Sequence, residues 1–259
     1  MNAKITIIGA GNMGGSIARG LAKGGIIAPA DMVVTDPSEE KLTALKLEFP
    51  DMRISHNNSE AVEKADYVLL AVKPWLVKPV LGELTLHARQ VIISVAAGIS
   101  FEELAHYLPD PQMTLFRLIP NTAISTMQSM TLIASRNASY NQEQFMLRLF
   151  NTMGLAMLIP EEKAAACTAL TSCGIAYVLK DIQAAMQAGI EMGIYPQEAM
   201  RMVAQSVKGA AELILTGDTH PALEIDKVCT PGGITIKGLN QLEQEGFTAA
   251  IIQAMKASR

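Results

Sequence analysis

Histidine, cysteine and aromatic residues are all scarce in this chain, and each scarcity closes off a class of chemistry. Its four histidines, His56, His87, His106 and His220, stand in no triad-like or metal-like spacing. They read as surface or capping residues, and no metal site is expected. Three cysteines, Cys167, Cys173 and Cys229, form neither an even disulfide framework nor a C-x-x-C pair, so they read as reduced thiols of a cytoplasmic protein. Basic residues do not dominate either: 21 Lys and Arg face 25 Asp and Glu, for a formal charge of −4. That leaves no footprint for nucleic acid. No basic segment precedes a signal-like apolar run, so no export signal is expected. The longest uncharged stretch, 164–179, lies between Lys163 and Lys180. It is shorter than the ~20 residues of a membrane span and carries Thr, Ser, Cys and Gly, so it predicts a buried helix and no membrane partner.

What the chain does have is apolar residues, 49% of 259. That is enough for a substantial core and for two unequal parts. Residues 5–36 read as strand, glycine turn, helix, strand and acid. Ile5-Thr6-Ile7-Ile8 is a short apolar run; Gly9-Ala10-Gly11-Asn12-Met13-Gly14 follows as G-x-G-x-x-G; Met13, Ile17 and Leu21 recur at helical spacing; Met32 to Thr35 is a second strand ending at Asp36. The three glycines serve, in order, a tight turn, close approach of backbone to a pyrophosphate, and tight helix-on-strand packing. Asp36 lies 22 residues after Gly14 (36 − 14), near the ~20 expected of a carboxylate that bonds a ribose 2′-hydroxyl. The pattern predicts dinucleotide binding.

Asp36 also bears on the cofactor, NADPH or NADH. A carboxylate repels a 2′-phosphate, whereas an arginine would pair with it, and Pro37-Ser38-Glu39-Glu40 offers no such cation. The reading leans to NADH. The alternative is that Asp36 starts an Asp-Pro-Ser turn into the helix that holds Leu42 and Leu45.

Strand and helix patterns continue to alternate. Strands are expected at 53–55, 67–72, 91–95, 114–119, 130–134 and 155–159, with a capping box at Ser100-Phe101-Glu102-Glu103 and a staple between Ile99 and Leu104. This rhythm predicts an α/β fold, a Rossmann-type doubly wound, mostly parallel sheet over 1–160. Residues 161–259 show no strand pattern and are rich in Ala, Met, Leu, Gln and Glu, with breaks at 193–196 and at Gly217-Asp218. They predict an all-helical second domain whose apolar surface, Met186, Met192, Met200 and Met202 included, serves as core or subunit interface. The substrate pocket is expected between the two domains.

The second domain also holds Cys229-Thr230-Pro231-Gly232-Gly233-Ile234-Thr235 just before a helix. Proline presets φ, the glycines open conformations closed to other residues, and the first N–H groups of the helix point outward. That is the layout of an anion receptor. The competing reading is a plain interhelical turn with a capping threonine.

Taken together, the N-terminal fingerprint, Ala71-Val72-Lys73-Pro74, Ser94-Val95-Ala96-Ala97-Gly98, Arg117 with Pro120-Asn121-Thr122, and Pro231-Gly232-Gly233-Ile234-Thr235 ahead of Leu242-Glu243 resemble pyrroline-5-carboxylate reductase, in order and over nearly the whole chain. The resemblance implies NAD(P)H-dependent reduction of 1-pyrroline-5-carboxylate to L-proline, the last step of proline biosynthesis, by a Rossmann domain and a helical dimerisation domain, often in a ring of dimers. It gives Thr230, Gly233, Ile234 and Thr235 to the substrate, with the Thr235 hydroxyl near the ring nitrogen as the catalytic group. It gives Gly9, Gly11, Asn12, Met13 and Gly14 to the pyrophosphate, Asn57 to the adenosine, and Ala71, Lys73, Pro74, Asn121 and Thr122 to the route toward the nicotinamide. Asn57 has a capping alternative, in which Asn58 or Ser59 caps the next helix. A protonated cyclic imine accepts hydride without a strong general base, so near-attack positioning carries the catalysis. Ala123, Met127-Gln128-Ser129, Thr171 to Ile175 and Lys237 depart from the family pattern. A β-hydroxyacid-type dehydrogenase with Lys180 as general acid, and a non-catalytic nucleotide binder, are the alternatives.

Overall fold

A computed structural model describes residues 3–259. The chain divides into two compact units, residues up to Ser172 and Cys173–Arg259. In the first, β1 (Ile5–Ile8), α1 (Asn12–Gly24), β2 (Met32–Thr35), α2 (Glu39–Glu48), β3 (Arg53–Ser55), α3 (Asn58–Val62), β4 (Tyr67–Leu70), α4 (Pro74–Glu83), β5 (Val91–Ser94), α5 (Phe101–His106), β6 (Leu115–Ile119), β7 (Ser129–Arg136), α6 (Tyr140–Asn151), β8 (Gly154–Leu158) and α7 (Ala164–Thr168) follow one another. The strands form one sheet in the order β3-β2-β1-β4-β5-β6-β7-β8. Every pair is parallel except β6 with β7.

Because strand side chains alternate, the sheet separates two cores. Ile5, Ile7, Leu69, Ile93 and Phe116 face one side, with Ile17 and Leu21 of α1, Leu42 and Leu45 of α2, and Phe150 of α6. Ile8, Val68, Leu70, Ile92 and Leu115 face the other, with Val77 and Leu81 of α4 and Phe101 and Leu104 of α5. The expected capping box is present, Ser100 and Glu103 each holding the other's backbone N–H, and Ile99 packs on the core that holds Leu104. A second box, Ser139 with Gln142, starts α6.

The second unit is helical: α8 (Gly174–Glu191), α9 (Pro196–Gly217), α10 (Pro221–Val228), α11 (Ile234–Gln244) and α12 (Phe247–Ala257). Its two breaks fall where the sequence predicts, at Gly193 and at Asp218, which takes the left-handed conformation. α8 packs on α9 and α11 on α12, and the Tyr177 hydroxyl of α8 donates to the Ala254 carbonyl of α12 at 3.3 Å. One expectation changes. The uncharged stretch 164–179 belongs to a helical run, Glu161–Glu191, of mean hydropathy 1.2 over its most apolar window, and only 11% of that window is buried within the chain. By length and composition this run could cross a membrane. It is not the buried helix that the sequence predicts: among the described residues α9 packs on part of it, but most of its apolar surface is left uncovered.

Candidate active site

The glycine turn leaves β1 and enters α1. Gly9 takes φ +105°, a conformation that strongly favours glycine, and a Cβ there would sit 2.5 Å from the Ala71 carbonyl oxygen. Its N–H donates to the Thr35 carbonyl at 2.7 Å. A Cβ on Gly14 would lie 1.9 Å from the Gly9 carbonyl oxygen, so this glycine lets the helix approach the turn. A Cβ on Gly11 would meet nothing within 4 Å. Gly11 is the N-cap of α1 with no side-chain cap, so the first N–H groups of the helix face open space. This is the fit a dinucleotide requires: two glycines close the turn, and the middle one keeps a cradle clear for pyrophosphate at the positive end of a helix.

Asp36, at the end of β2, is buried and already engaged. Its Oδ2 accepts the Ala10 N–H at 2.8 Å; its Oδ1 accepts the Ser38 N–H at 2.9 Å and Lys41 Nζ at 3.3 Å. Burial opposes its charge, yet the Ser38 and Ala10 N–H groups and the Lys41 ammonium outweigh that, and the carboxyl titrates below its ordinary value. What it adds to stability is therefore present above that ordinary value and lost as pH falls through the lowered one. The Asp-Pro-Ser turn is thus real, and it coexists with a carboxylate that ties the glycine turn to the strand end. Lone-pair capacity for a ribose hydroxyl remains, since an ionised carboxylate offers about four acceptor sites.

The other cofactor candidates lie past the carboxyl ends of neighbouring strands. Asn57 follows β3 and is itself the N-cap of α3, its Oδ1 accepting the Glu60 N–H at 3.2 Å. Neither Asn58 nor Ser59 holds that place: Asn58 Oδ1 accepts from Thr35 Oγ1, and Ser59 Oγ donates to the Glu83 carbonyl. Ala71 leaves β4 with its N–H on the Ile8 carbonyl, Lys73 caps α4, and Pro74 is its first residue. After β6, the buried Asn121 caps a 3₁₀ turn through Oδ1 to the Ala123 N–H and donates Nδ2 to the Thr171 carbonyl at 3.3 Å. Gly11, Asn12, Met13 and Thr122 line one depression with Ser16, Arg19 and Lys41. Asp36, Asn57, Ala71 and Lys73 stand outside it. β1 lies between β2 and β4, so this is the point where the strand order reverses, where open α/β sheets bind ligands.

In the second unit, Gly232 takes φ +73° and Gly233 is the N-cap of α11 with no side-chain cap. A Cβ on Gly233 would lie 2.6 Å from Thr230 Oγ1. The hydroxyls of Thr230 and Thr235 have no hydrogen-bond partner within the chain among the described residues. The capping-threonine reading therefore fails: the start of α11 is open, and both hydroxyls are free beside it. Lys180, the general acid of the dehydrogenase alternative, donates to Gln183 on the surface of α8.

Three side chains around Asp36 escape a sequence reading: Glu39, Lys41 and His56. His56 Nδ1–H donates to the Asp36 carbonyl at 2.8 Å and Nε2–H to Glu39 Oε2 at 2.7 Å. The only sequence signal was the position of Glu39 three residues past the acid; the parallel pairing of β3 with β2 brings His56 beside it.

A dinucleotide cradle on a doubly wound sheet, joined to a helical unit with an open anion turn, defines a nicotinamide-dependent oxidoreductase. The comparisons with known proteins narrow the class. Residues 4–98 match the family model of NADP oxidoreductase, coenzyme F420-dependent, and residues 161–259 match that of pyrroline-5-carboxylate reductase dimerisation. The chain is 36% identical over 99% of its length to pyrroline-5-carboxylate reductase 2 of Dictyostelium discoideum, of which it covers 91%. The pyrroline-5-carboxylate reductase structure from Coxiella burnetii aligns at a TM-score of 0.92 and 27% identity, over 100% of this chain and 96% of that one. The Plasmodium falciparum pyrroline carboxylate reductase with NADP bound aligns at 0.88 and 26%, over 99% and 95%. The chain belongs to the pyrroline-5-carboxylate reductase family.

Proposed function

We propose that the protein reduces 1-pyrroline-5-carboxylate to L-proline, with residues 1–160 as the dinucleotide-binding domain and 161–259 as the dimerisation and substrate-binding domain. The observation that carries this reading is the open start of α11. A five-membered cyclic imine with a carboxylate needs an anion site and a hydrogen-bonding group near its nitrogen. Thr230 Oγ1 and the N–H groups of Gly233, Ile234 and Thr235 supply the first, and the Thr235 hydroxyl the second. A bound reduced nicotinamide supplies the hydride that the imine carbon accepts, while the nitrogen takes its proton from solvent or from Thr235. The chain's work is then to bind, orient and shield. Gly9, Gly11, Asn12, Met13 and Gly14 hold the pyrophosphate, Asp36 and Asn57 the adenosine side, and Ala71, Lys73, Pro74, Asn121 and Thr122 the nicotinamide side.

The finer assignments follow the same logic. Asp36 just past β2 and Glu39 at the start of α2, with Lys41 already paired to Asp36, favour NADH over NADPH. The exposed apolar side of Glu161–Glu191 supports a dimer, and rings of such dimers are the further assembly we infer. Three free cysteines support a cytoplasmic location. The test is cofactor oxidation at 340 nm with 1-pyrroline-5-carboxylate, run with NADH and NADPH in parallel, on wild type and Thr235→Ala. Turnover is expected to be faster with NADH and to fall about 10–100-fold in kcat/KM in the variant, with Tm unchanged. No turnover in protein that binds NADH would overturn the reading.

A further inference from the structure

The ring of His56 has an acceptor at each end, the Asp36 carbonyl on Nδ1 and the Glu39 carboxylate on Nε2. An ionised carboxylate and a carbonyl can only accept, so both nitrogens carry hydrogen and the side chain is an imidazolium in this geometry. Glu39 is held from its other oxygen as well, by the Thr43 hydroxyl at 3.1 Å. The charged groups facing His56 are Glu39 from α2 and Asp36 from the end of β2, with Lys41 of α2 on the Asp36 carboxylate. The rim of the strand end thus carries two cations, and each is already paired with a carboxylate of this chain.

We propose that the Glu39–His56 pair is a specificity determinant of the cofactor site, one that withholds the imidazolium from the 2′-phosphate of NADPH and sets a carboxylate where that phosphate would lie. The proposal rests on the dinucleotide reading above, which places the adenosine ribose at Asp36. A 2′-phosphate there is a dianion whose natural partners are the exposed cations of the rim. Lys41 is paired with Asp36 and His56 with Glu39, so among the described residues at this strand end both cations are already engaged, and the phosphate meets the exposed acid Glu39. A ribose 2′-hydroxyl needs only a lone pair and is indifferent to the pair.

The pair also makes discrimination depend on pH. The Glu39 hydrogen bond and the Asp36 carbonyl hold the His56 pKa above its ordinary value, and the His56 hydrogen bond holds that of Glu39 below. The bridge is complete below the ordinary histidine pKa and is lost as pH rises through the raised one. Above it the ring is neutral, Glu39 stands alone, and repulsion of a 2′-phosphate grows.

The adenosine halves of the two cofactors isolate the effect. Calorimetry with 2′,5′-ADP and 5′-AMP on wild type, Glu39→Gln and Glu39→Gln/His56→Asn, together with the His56 ring titration followed by NMR in the unliganded protein, tests it. Glu39→Gln is expected to tighten 2′,5′-ADP about tenfold or more, to leave 5′-AMP unchanged, and to lower the His56 pKa; the double variant keeps only the part of the gain that comes from removing the acid and loses the part owed to the imidazolium. Equal effects on the two nucleotides, or a gain undiminished in the double variant, would overturn the proposal. Wild type that binds neither 5′-AMP nor NADH would instead overturn the dinucleotide reading, and the proposal with it.

Discussion

Gly11 and Gly14 stand three residues apart and are needed for opposite reasons. A methyl group on Gly14 would lie 1.9 Å from the Gly9 carbonyl oxygen and 2.7 Å from the Ala71 Cβ, and only a shift of the turn relieves that. Gly14→Ala is expected to cost about 2–3 kcal/mol, read as a lower Tm of the unliganded protein. At Gly11 the backbone, φ −67° and ψ −170°, is open to alanine, and the added methyl meets nothing. Gly11→Ala should keep Tm and weaken NADH about tenfold or more by calorimetry, because only a bound pyrophosphate would feel the methyl. Unchanged NADH affinity in Gly11→Ala would take the pyrophosphate off that glycine. The turn was legible in the sequence because the approach of Gly14 to Gly9, five residues before it (14 − 9), is local; the Ala71 that also crowds Gly14 was not. Asp36 was legible as an acid at the right distance, and its Ser38 bond as an Asp-Pro-Ser turn, but its distant partners were not: Ala10 lies 26 residues away in sequence and His56 touches Asp36 across 20. Such contacts depend on which strands are neighbours, and no residue announces that.

At the scale of elements, all eight strands fall where the alternation predicts them, with ends shifted by a residue or two. The expected strand 67–72 ends at Leu70 and 91–95 at Ser94, because the chain turns away there to present Ala71 to Pro74 and the 95–98 segment at the sheet's carboxyl edge. The antiparallel β7 is the one departure from the parallel rhythm. Only residues 120–128 separate β6 from β7, and a parallel crossover needs a dozen or more, so loop length held the signal. Capping was equally local. Ser100 and Glu103 read directly as a box, and Ser139 with Gln142 has the same form. Ser100→Ala removes one side of its box and should cost about 1 kcal/mol in chemical denaturation. Because Phe101, the next residue, packs in the second core and its N–H is held by Glu161 at 2.8 Å, a loss well above ~2 kcal/mol would mean that the box also positions Phe101.

For the molecule as a whole, the second unit is the part that does not close on itself. Val178, Leu179, Ile190 and Met192 in or beside α8, and Leu213 and Leu215 in α9, are exposed in the single chain. A helical unit this apolar on its surface calls for a partner, and the match to the dimerisation family model points to a second copy. In a two-fold interface each residue acts twice. Burying one leucine stabilises by about 1.5–3 kcal/mol, so losing two by Leu179→Glu removes about 3–6 kcal/mol before any penalty for the buried charge, which corresponds to more than ~100-fold in the dimer dissociation constant. Leu179 is 57% exposed in the single chain, so the substitution leaves the fold of one subunit intact. Sedimentation at micromolar protein is expected to show a dimer for wild type and a monomer for Leu179→Glu, with the wild-type Tm rising with concentration and the variant's Tm lower and independent of it. A variant that still sediments as a dimer would place Leu179 outside the interface and leave its apolar face for another surface to cover.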